Sequence, residues 1–319
     1  MIMLFTIASL VFSGATVTRS QDPVETIRIE SDLVDLKVSV LGLNQTLALP
    51  LLDQKDFHVF EDGTPQEISF FAAADAPFDL VLLLDLSGSS SKKLKMIRRS
   101  AKRFVDAARP VDRIAIVTFT DQVFLLSEFT LNRKQLKKDI DYIDDAFGGT
   151  SFWDALNYVL KDLVGRNQGS RRSAVVVMTD GVDNALPEVS GPGSSTTYEE
   201  LIANVRGSEA IVFPIYLEVA EKDLKKYKIP PAAYAQAQQQ VAEIASTSGT
   251  TLYRATRLED LELLYQQVIR DLGTVYSIGY RPSNRALDGK WRTVQVQLPG
   301  RPALQARTKR GYFAKLEKS

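Results

Sequence analysis

The sequence predicts an α/β fold, a mostly parallel sheet flanked by helices, accompanied by a smaller β module. Three observations lead there. Residues 78–85, FDLVLLLD, are too uniformly apolar for a surface and read as a central strand buried on both faces. Residues 174–178, AVVVM, are a second buried run, ending in Thr179, Asp180 and Gly181. Helical patterns begin only after the first of these strands, whereas both flanks of the chain alternate apolar with polar residues as half-buried strands do.

Taken in order, residues 1–17 are apolar or small and uncharged, and Ser13-Gly14-Ala15 fits a small-x-small cleavage rule, so residues 1–20 read as a secretory signal. The leading MIM lacks Lys or Arg, which leaves cleavage and retention as an anchor both open. No later stretch is long and apolar enough to cross a bilayer. Residues 24–76 form the first part of a β module: TIRIESDLVDLKVSVLG and DFHVFEDGTPQEISFFAA alternate, and Glu61-Asp62-Gly63-Thr64-Pro65 is a turn between strands. Residues 77–273 form the α/β domain. KLKMIRRSAKRFVDAA is an amphipathic helix, DRIAIVTFT and QVFLLSEFT are strands meeting at a tight turn, and RKQLKKDIDYIDDAF is a helix. SFWDALNYVLKDLVGR and TYEELIANVRG are helices on either side of the second buried strand, and AIVFPIYLEV is a further strand. A mostly polar helical stretch, 221–249, stops at Gly249; its IPPAAYAQAQQQ segment reads as a solvated helix or a partner contact. TLYRAT is a short strand, and 258–273 is the last helix, stopped by Gly273. From 274 to 319 the alternation returns in VYSIGYRPSN, KWRTVQVQLP and LQARTKRGYF. Three such strands do not fold easily alone, so they are expected to pair with the early ones in one β-sandwich-like module built from both chain ends.

Composition excludes several chemistries. The 319 residues contain no cysteine, one histidine, and equal numbers of basic and acidic residues, 39 each. Disulfides, thiol nucleophiles and thiolate zinc sites are therefore absent, and the charge balance favours neither nucleic acid nor an anionic membrane. Any Ser/His/Asp triad would have to use His58, which lies in a strand-like segment; no GxSxG elbow is present, and His58 reads as structural or surface. Arg171-Arg172 and Lys92-Lys93 read as solvated charges, and Asn44-Gln45-Thr46 is a glycosylation sequon by pattern only.

The chemistry concentrates in three loops. Asp85, Ser87 and Ser89 form DxSxS beyond the carboxyl end of the first buried strand, where open α/β sheets place ligands. Gly148-Gly149 allow a tight turn that presents Thr150 ahead of a helix, and Asp180 follows the second buried strand. All five side chains offer hard oxygens, which suit Mg²⁺. Ser87 and Ser89 as helix caps and Asp180 in an Asx turn is the structural alternative. Asp183 and Asp121 read as surface turn residues.

In these five positions the chain resembles the von Willebrand factor A-type (VWA) family, whose metal-ion-dependent adhesion site is DxSxS followed by a Thr and an Asp from two later loops. The resemblance implies a doubly wound, Rossmann-like sheet. It implies Ser87, Ser89 and Thr150 as direct ligands of a divalent ion, Mg²⁺ or else Mn²⁺ or Ca²⁺, with Asp85 and Asp180 acting largely through water. It implies, too, that a protein partner's Asp or Glu carboxylate completes the shell. The β, A-type, β order resembles bacterial secreted proteins, which implies a secreted, periplasmic or cell-surface binding module that is not an enzyme. A metal-assisted hydrolase and a scaffold with a structural metal are the alternatives; no general base is evident for the former. In relatives a shift of the last helix can couple to the metal, and here that helix runs into the β module, which is expected to restrain it.

Overall fold

A computed structural model describes residues 33–42, 50–88, 94–144, 148–166 and 171–316. The proposed signal segment, Asn44 of the sequon, Lys92-Lys93 and Ser89 of the DxSxS motif lie outside the described residues.

The two apolar runs form the centre of a six-stranded sheet. Strand β5 (Phe78–Asp85) is buried at every position and pairs in parallel with β6 (Arg113–Phe119) on one side and β8 (Arg172–Thr179) on the other. The sheet continues through β9 (Ile211–Leu217) and β10 (Tyr253–Ala255), also parallel, and closes at the opposite edge with β7 (Val123–Thr130), antiparallel to β6. Successive side chains of a strand point to opposite faces, so one apolar run supplies two cores. Leu80, Leu82 and Leu84 meet α1 (Leu94–Ala107), α2 (Arg133–Asp141) and α7 (Leu261–Leu272) through Phe104, Ile140 and Tyr265. Val81 and Leu83 face the other side, where α3 (Phe152–Tyr158), α4 (Tyr198–Gly207) and α6 (Pro231–Thr247) pack through Leu156, Val205 and Val241. Helices on both faces of a mostly parallel sheet make it doubly wound, as the sequence predicts.

Four helical segments differ from the sequence expectation. The helix expected over RKQLKKDIDYIDDAF ends at Asp141, capped by Tyr142. The third helix passes into a π-helical turn at Val159–Val164. The stretch at 221–249 is two helices, α5 (Glu221–Lys226), which buries nothing, and α6, which begins with Pro231 at its first turn. α6 is not solvated throughout: it buries Ala233, Ala237, Val241, Ile244 and Ala245, small and branched residues that let it lie close to the sheet. The last helix is preceded by a 3₁₀ turn at Leu258–Asp260.

The chain ends pair with each other in two four-stranded antiparallel sheets. In the first, the order is β13 (Leu304–Arg307), β1 (Val34–Gly42), β11 (Val275–Tyr280) and β4 (Ile68–Ala72). In the second it is β14 (Gly311–Phe313), β12 (Trp291–Gln297), β2 (His58–Glu61) and β3 (Thr64–Gln66). The β2–β3 hairpin turns on Asp62 and Gly63 at φ 47° and 78°, the left-handed pair that a two-residue hairpin loop needs. Strand β12 is alternately exposed and buried along its whole length, and Val294 and Val296 share a core with Leu36, Val38 and Ile278 of the facing sheet. His58 is exposed on β2.

The segment LQARTKRGYF is one alternating run in sequence but two strands in space, β13 in the first sheet and β14 in the second. The break falls where the chain crosses Gly249 at the end of α6. A Cβ there would lie 2.7–2.9 Å from backbone atoms of Thr308 and Lys309, and Gly249 has a φ of +84°.

Arg172 joins the two parts of the molecule and corrects the reading of Arg171-Arg172 as solvated. It is 6% exposed. Its guanidinium donates to the carbonyls of Ala74, Ala76 and Val275 and stacks over the Phe78 ring at 4.0 Å. Arg171, beside it, donates to Asp79 at 2.8 Å, and Arg113 pairs with the same carboxylate. Burial pushes the Arg172 guanidinium down to about 10. The side chain thus ties β8, β11 and the 74–76 connection together. Substitution Arg172→Met keeps the volume and strands three carbonyls, so it should cost about 3 kcal/mol in urea unfolding; a loss below about 0.5 kcal/mol would show that the carbonyl cluster is satisfied in another way.

Candidate metal centre

Three loops converge at the carboxyl ends of β5 and β8. Asp85 is the last residue of β5 and Asp180 the first beyond β8, so two carboxylates end adjacent parallel strands, 1% and 5% exposed. Asp85 is held on both oxygens: it accepts the Ser87 backbone N–H at 2.9 Å and the Thr179 hydroxyl at 2.7 Å. Thr179 Oγ1 accepts in turn from the Gly181 N–H at 2.8 Å, and Asp180 accepts from the Val182 N–H at 3.2 Å. Gly181 takes φ +73°, and a Cβ there would sit 2.5 Å from Val241 of α6, so the turn after Asp180 is pressed directly against that helix.

The loop carrying Thr150 is fastened to both neighbours. The Gly148 carbonyl accepts from the Gly88 N–H at 3.3 Å, which ties it to the DxSxS loop. Asn184 clamps Thr150 from the other side. Its side-chain oxygen accepts the Thr150 N–H at 3.0 Å, and its own N–H donates to the Thr150 carbonyl at 2.9 Å. Gly149 has no room for a Cβ, which would lie 2.7 Å from the Pro192 carbonyl oxygen and 3.0 Å from Asn184.

Asp183 corrects the expectation of a surface turn residue. It is fully buried and accepts four hydrogen bonds, from the N–H groups of Trp153, Ala185 and Ser194 and from the Ser194 hydroxyl, between 2.6 and 3.0 Å. It therefore holds the start of α3, and with it Thr150, to the loop that follows Asp180. Asp154 extends the same attachment by accepting from the N–H groups of Ser195 and Thr196 at 2.8 Å. Asp121 is exposed, as expected, and stands beside Gly148 at the rim.

Of the five sequence-predicted positions, the structure brings Asp85, Ser87, Thr150 and Asp180 to one edge of the sheet, all buried; the fifth is Ser89. Asn184, Asp183 and Thr179 are the contributors that the sequence reading did not assign. Their signal was the run TDGVDN itself, since Asp and Asn just past a tight glycine turn bond readily to nearby backbone.

The electrostatics are unfavourable without a counter-charge. Burial first, and the negative charge of Asp180 second, push the Asp85 carboxyl up to about 7. Such a pair, with neutral hydroxyls beside it, has the donor chemistry of a divalent cation site.

A sequence model of the von Willebrand factor type A domain matches residues 79–267, more than half of the chain. The chain belongs to this family. Among curated relatives it is 32% identical over 124 residues to the Arabidopsis thaliana E3 ubiquitin-protein ligase WAVH1, covering 34% of this chain and 18% of that one. It is 22% identical over 205 residues to a UPF0353 protein of Mycolicibacterium paratuberculosis, covering 61% of each. The chain thus spans less than two thirds of the length of either. Among solved structures, proximal thread matrix protein 1 from the mussel byssus, with a zinc-occupied MIDAS motif, superposes with a TM-score of 0.48 at 16% identity, over 65% of this chain and 48% of that one.

The loop attachment makes a prediction about this VWA site. Asp183→Ala removes one acceptor and leaves four donors to find others, at a cost of about 3 kcal/mol. Amide exchange at Trp153, Ala185 and Ser194 should accelerate together; unchanged exchange at all three would contradict the role given to Asp183.

Proposed function

We propose that this protein is an exported, non-enzymatic binding module that recognises an acidic side chain of a protein partner through a divalent cation. The cation would be held by Asp85, Ser87, Thr150 and Asp180, with Ser89 completing the DxSxS set. The observation that carries the reading is the buried pair Asp85–Asp180, whose mutual repulsion a cation relieves. Hard oxygens alone in the donor set favour Mg²⁺, with Mn²⁺ and Ca²⁺ as the nearest substitutes. Once bound, the ion would act as a Lewis acid toward an incoming carboxylate.

The chain's own residues prepare that role. Thr179 and the Ser87 N–H fix the orientation of Asp85, so its oxygens are positioned before any ion arrives. Asn184 fixes the backbone of Thr150 at both its N–H and its carbonyl. Only two carboxylates oppose the double charge, and three neutral hydroxyls leave the ion under-neutralised toward a partner's acid. Export rests on the 1–20 segment; among the described residues no helix is long and apolar enough to cross a membrane. The exposed position of His58 on β2, in a sheet other than the one that carries the metal loops, supports a binding role over a histidine-dependent one.

Two outcomes follow. Adding Mg²⁺ or Mn²⁺ to EDTA-stripped protein should raise the melting temperature, with a 1:1 heat of binding by titration calorimetry that Asp180→Ala abolishes; no binding of either ion would end the proposal. The pH dependence has a definite sign. The folded, metal-free chain keeps a proton on Asp85 between the usual carboxylate value and about 7, while the unfolded chain does not. Stability without metal therefore falls as pH rises through that window, and Asp85→Asn should stabilise the metal-free protein above it by ~2 kcal/mol. Destabilisation by that substitution in EDTA would show that Asp85 carries no uncompensated charge.

A further inference from the structure

Strands β12 and β13 are joined by the short 298–303 turn, closed by the Arg301 N–H on the Leu298 carbonyl and the Leu304 N–H on the Arg301 carbonyl, each 2.9 Å. Strands so joined ordinarily pair as a hairpin. Here they do not: β12 pairs with β2 in one sheet and β13 with β1 in the other. Between them lies a cleft of about 600 Å³. From the VWA domain, Ser246, Gly249 and Thr250 border it.

Both lips of the cleft are strand edges with backbone groups turned into it. The Thr293 carbonyl accepts from the Asp62 N–H on the β2 side, while the Val294 N–H donates to the Arg310 carbonyl on the other side. Alternation along an antiparallel strand then turns the N–H and carbonyl of Val296 toward the cleft. On β1, the Val40 N–H bonds to Thr274 on the β11 side, so Ser39 and Leu41 face β13 and bond to their partners Arg307 and Gln305. That leaves the N–H and carbonyl of Ala306 facing the cleft. At one end of the opening the crossover at 308–309 is seated on Gly249 with no space for a Cβ.

The walls specify what fits. Val294, Val296, Leu304 and Ala306 belong to the sandwich core and present apolar side chains on the inner side. Gln295, Gln297, Gln305 and Arg307 alternate with them on the outer side. The lining of this cleft contains Arg307 and Arg310 and no acidic residue; among the described residues neither arginine forms a salt bridge within 4 Å, although the charge of Asp271 acts on Arg307 from the neighbouring hollow. A second hollow of about 390 Å³ shares Ser246 and Arg310 with the cleft; it is walled by Trp291 and Phe313, whose rings pack edge to face at 5.0 Å and stay 38% and 59% exposed, and by Glu243, which pairs with Arg206 at 3.6 Å.

We propose that this slot receives an extended segment of a partner protein by strand addition, with apolar residues alternating with acidic ones. The inner residues complete the sandwich core, the backbone pairs with Val296 and Ala306, and the acids meet Arg307 and Arg310. The slot is separate from the metal loops, so its occupant binds whether or not a cation is present.

The test uses the full chain in EDTA throughout, which silences the metal centre, so failure here leaves the metal reading untouched. Amide exchange of the free protein comes first: Val296 and Ala306 should exchange rapidly, and protection of both would overturn the proposal. A random decapeptide display library is then selected on the protein. The expected consensus alternates apolar with acidic residues, the bound peptide protects both amides, and combined Arg307→Glu and Arg310→Glu weakens it at least about tenfold. Val296→Pro removes the cleft-facing N–H at some cost in core packing, and should also abolish binding while the protein keeps a cooperative melting transition. A consensus without alternation, indifference to the charge reversal, or protection of these amides by self-association in sedimentation would each overturn it.

Discussion

Two carboxylates brought out of water at the ends of neighbouring strands are the constraint on which the rest of this molecule depends. A parallel sheet buried on both faces can place Asp85 and Asp180 side by side only because Leu80–Leu84 and 174–178 anchor their strands in two cores at once. The same burial makes the pair costly, since each charge loses hydration and faces its like. Hydrogen-bond donors of the described residues meet part of that cost. Thr179, the Ser87 N–H and the Val182 N–H all bond to the two acids, and none of these three donors carries a charge.

The surrounding loops are built as a continuous attachment. Asp183 and Asn184, adjacent in sequence, hold α3 and Thr150 to the loop after Asp180, while Gly148 links the same segment to Gly88. At the far side of the domain, Arg172 and the crossover seated on Gly249 bind the α/β sheet to the sandwich. The last helix α7 ends at Leu272 and β11 begins at Val275, with Thr274 bonded both to Asp271 and to Val40. The last helix of the α/β domain thus passes directly into a strand of the sandwich.

Much of this was legible in the sequence. Apolar runs too long for a surface gave the buried strands, two glycines gave the turn before Thr150, and residue-by-residue alternation gave the strands of the sandwich. What escaped depended on contacts distant in sequence. The split of LQARTKRGYF into two strands is imposed by Gly249, some sixty residues earlier, against which the backbone of Thr308 must lie. Arg172 resembled any charged residue at a strand entry until Ala74, Ala76 and Val275 were seen to bring three carbonyls around it. Asp183 reads as a turn residue because its partners Trp153 and Ser194 lie far off in sequence, in α3 and in a later loop. The helix α6 reads as polar because half of its buried residues are alanine, which carries little hydrophobic signal, and one is Gln240.

The most direct measurement is anomalous diffraction from crystals of EDTA-stripped protein soaked in Mn²⁺. The account predicts a single strong peak among the side chains of Asp85, Ser87, Thr150 and Asp180, and none in Asp180→Ala crystals grown alike. A peak elsewhere, or an empty site with Asp85 and Asp180 both satisfied by the protein alone, would contradict it.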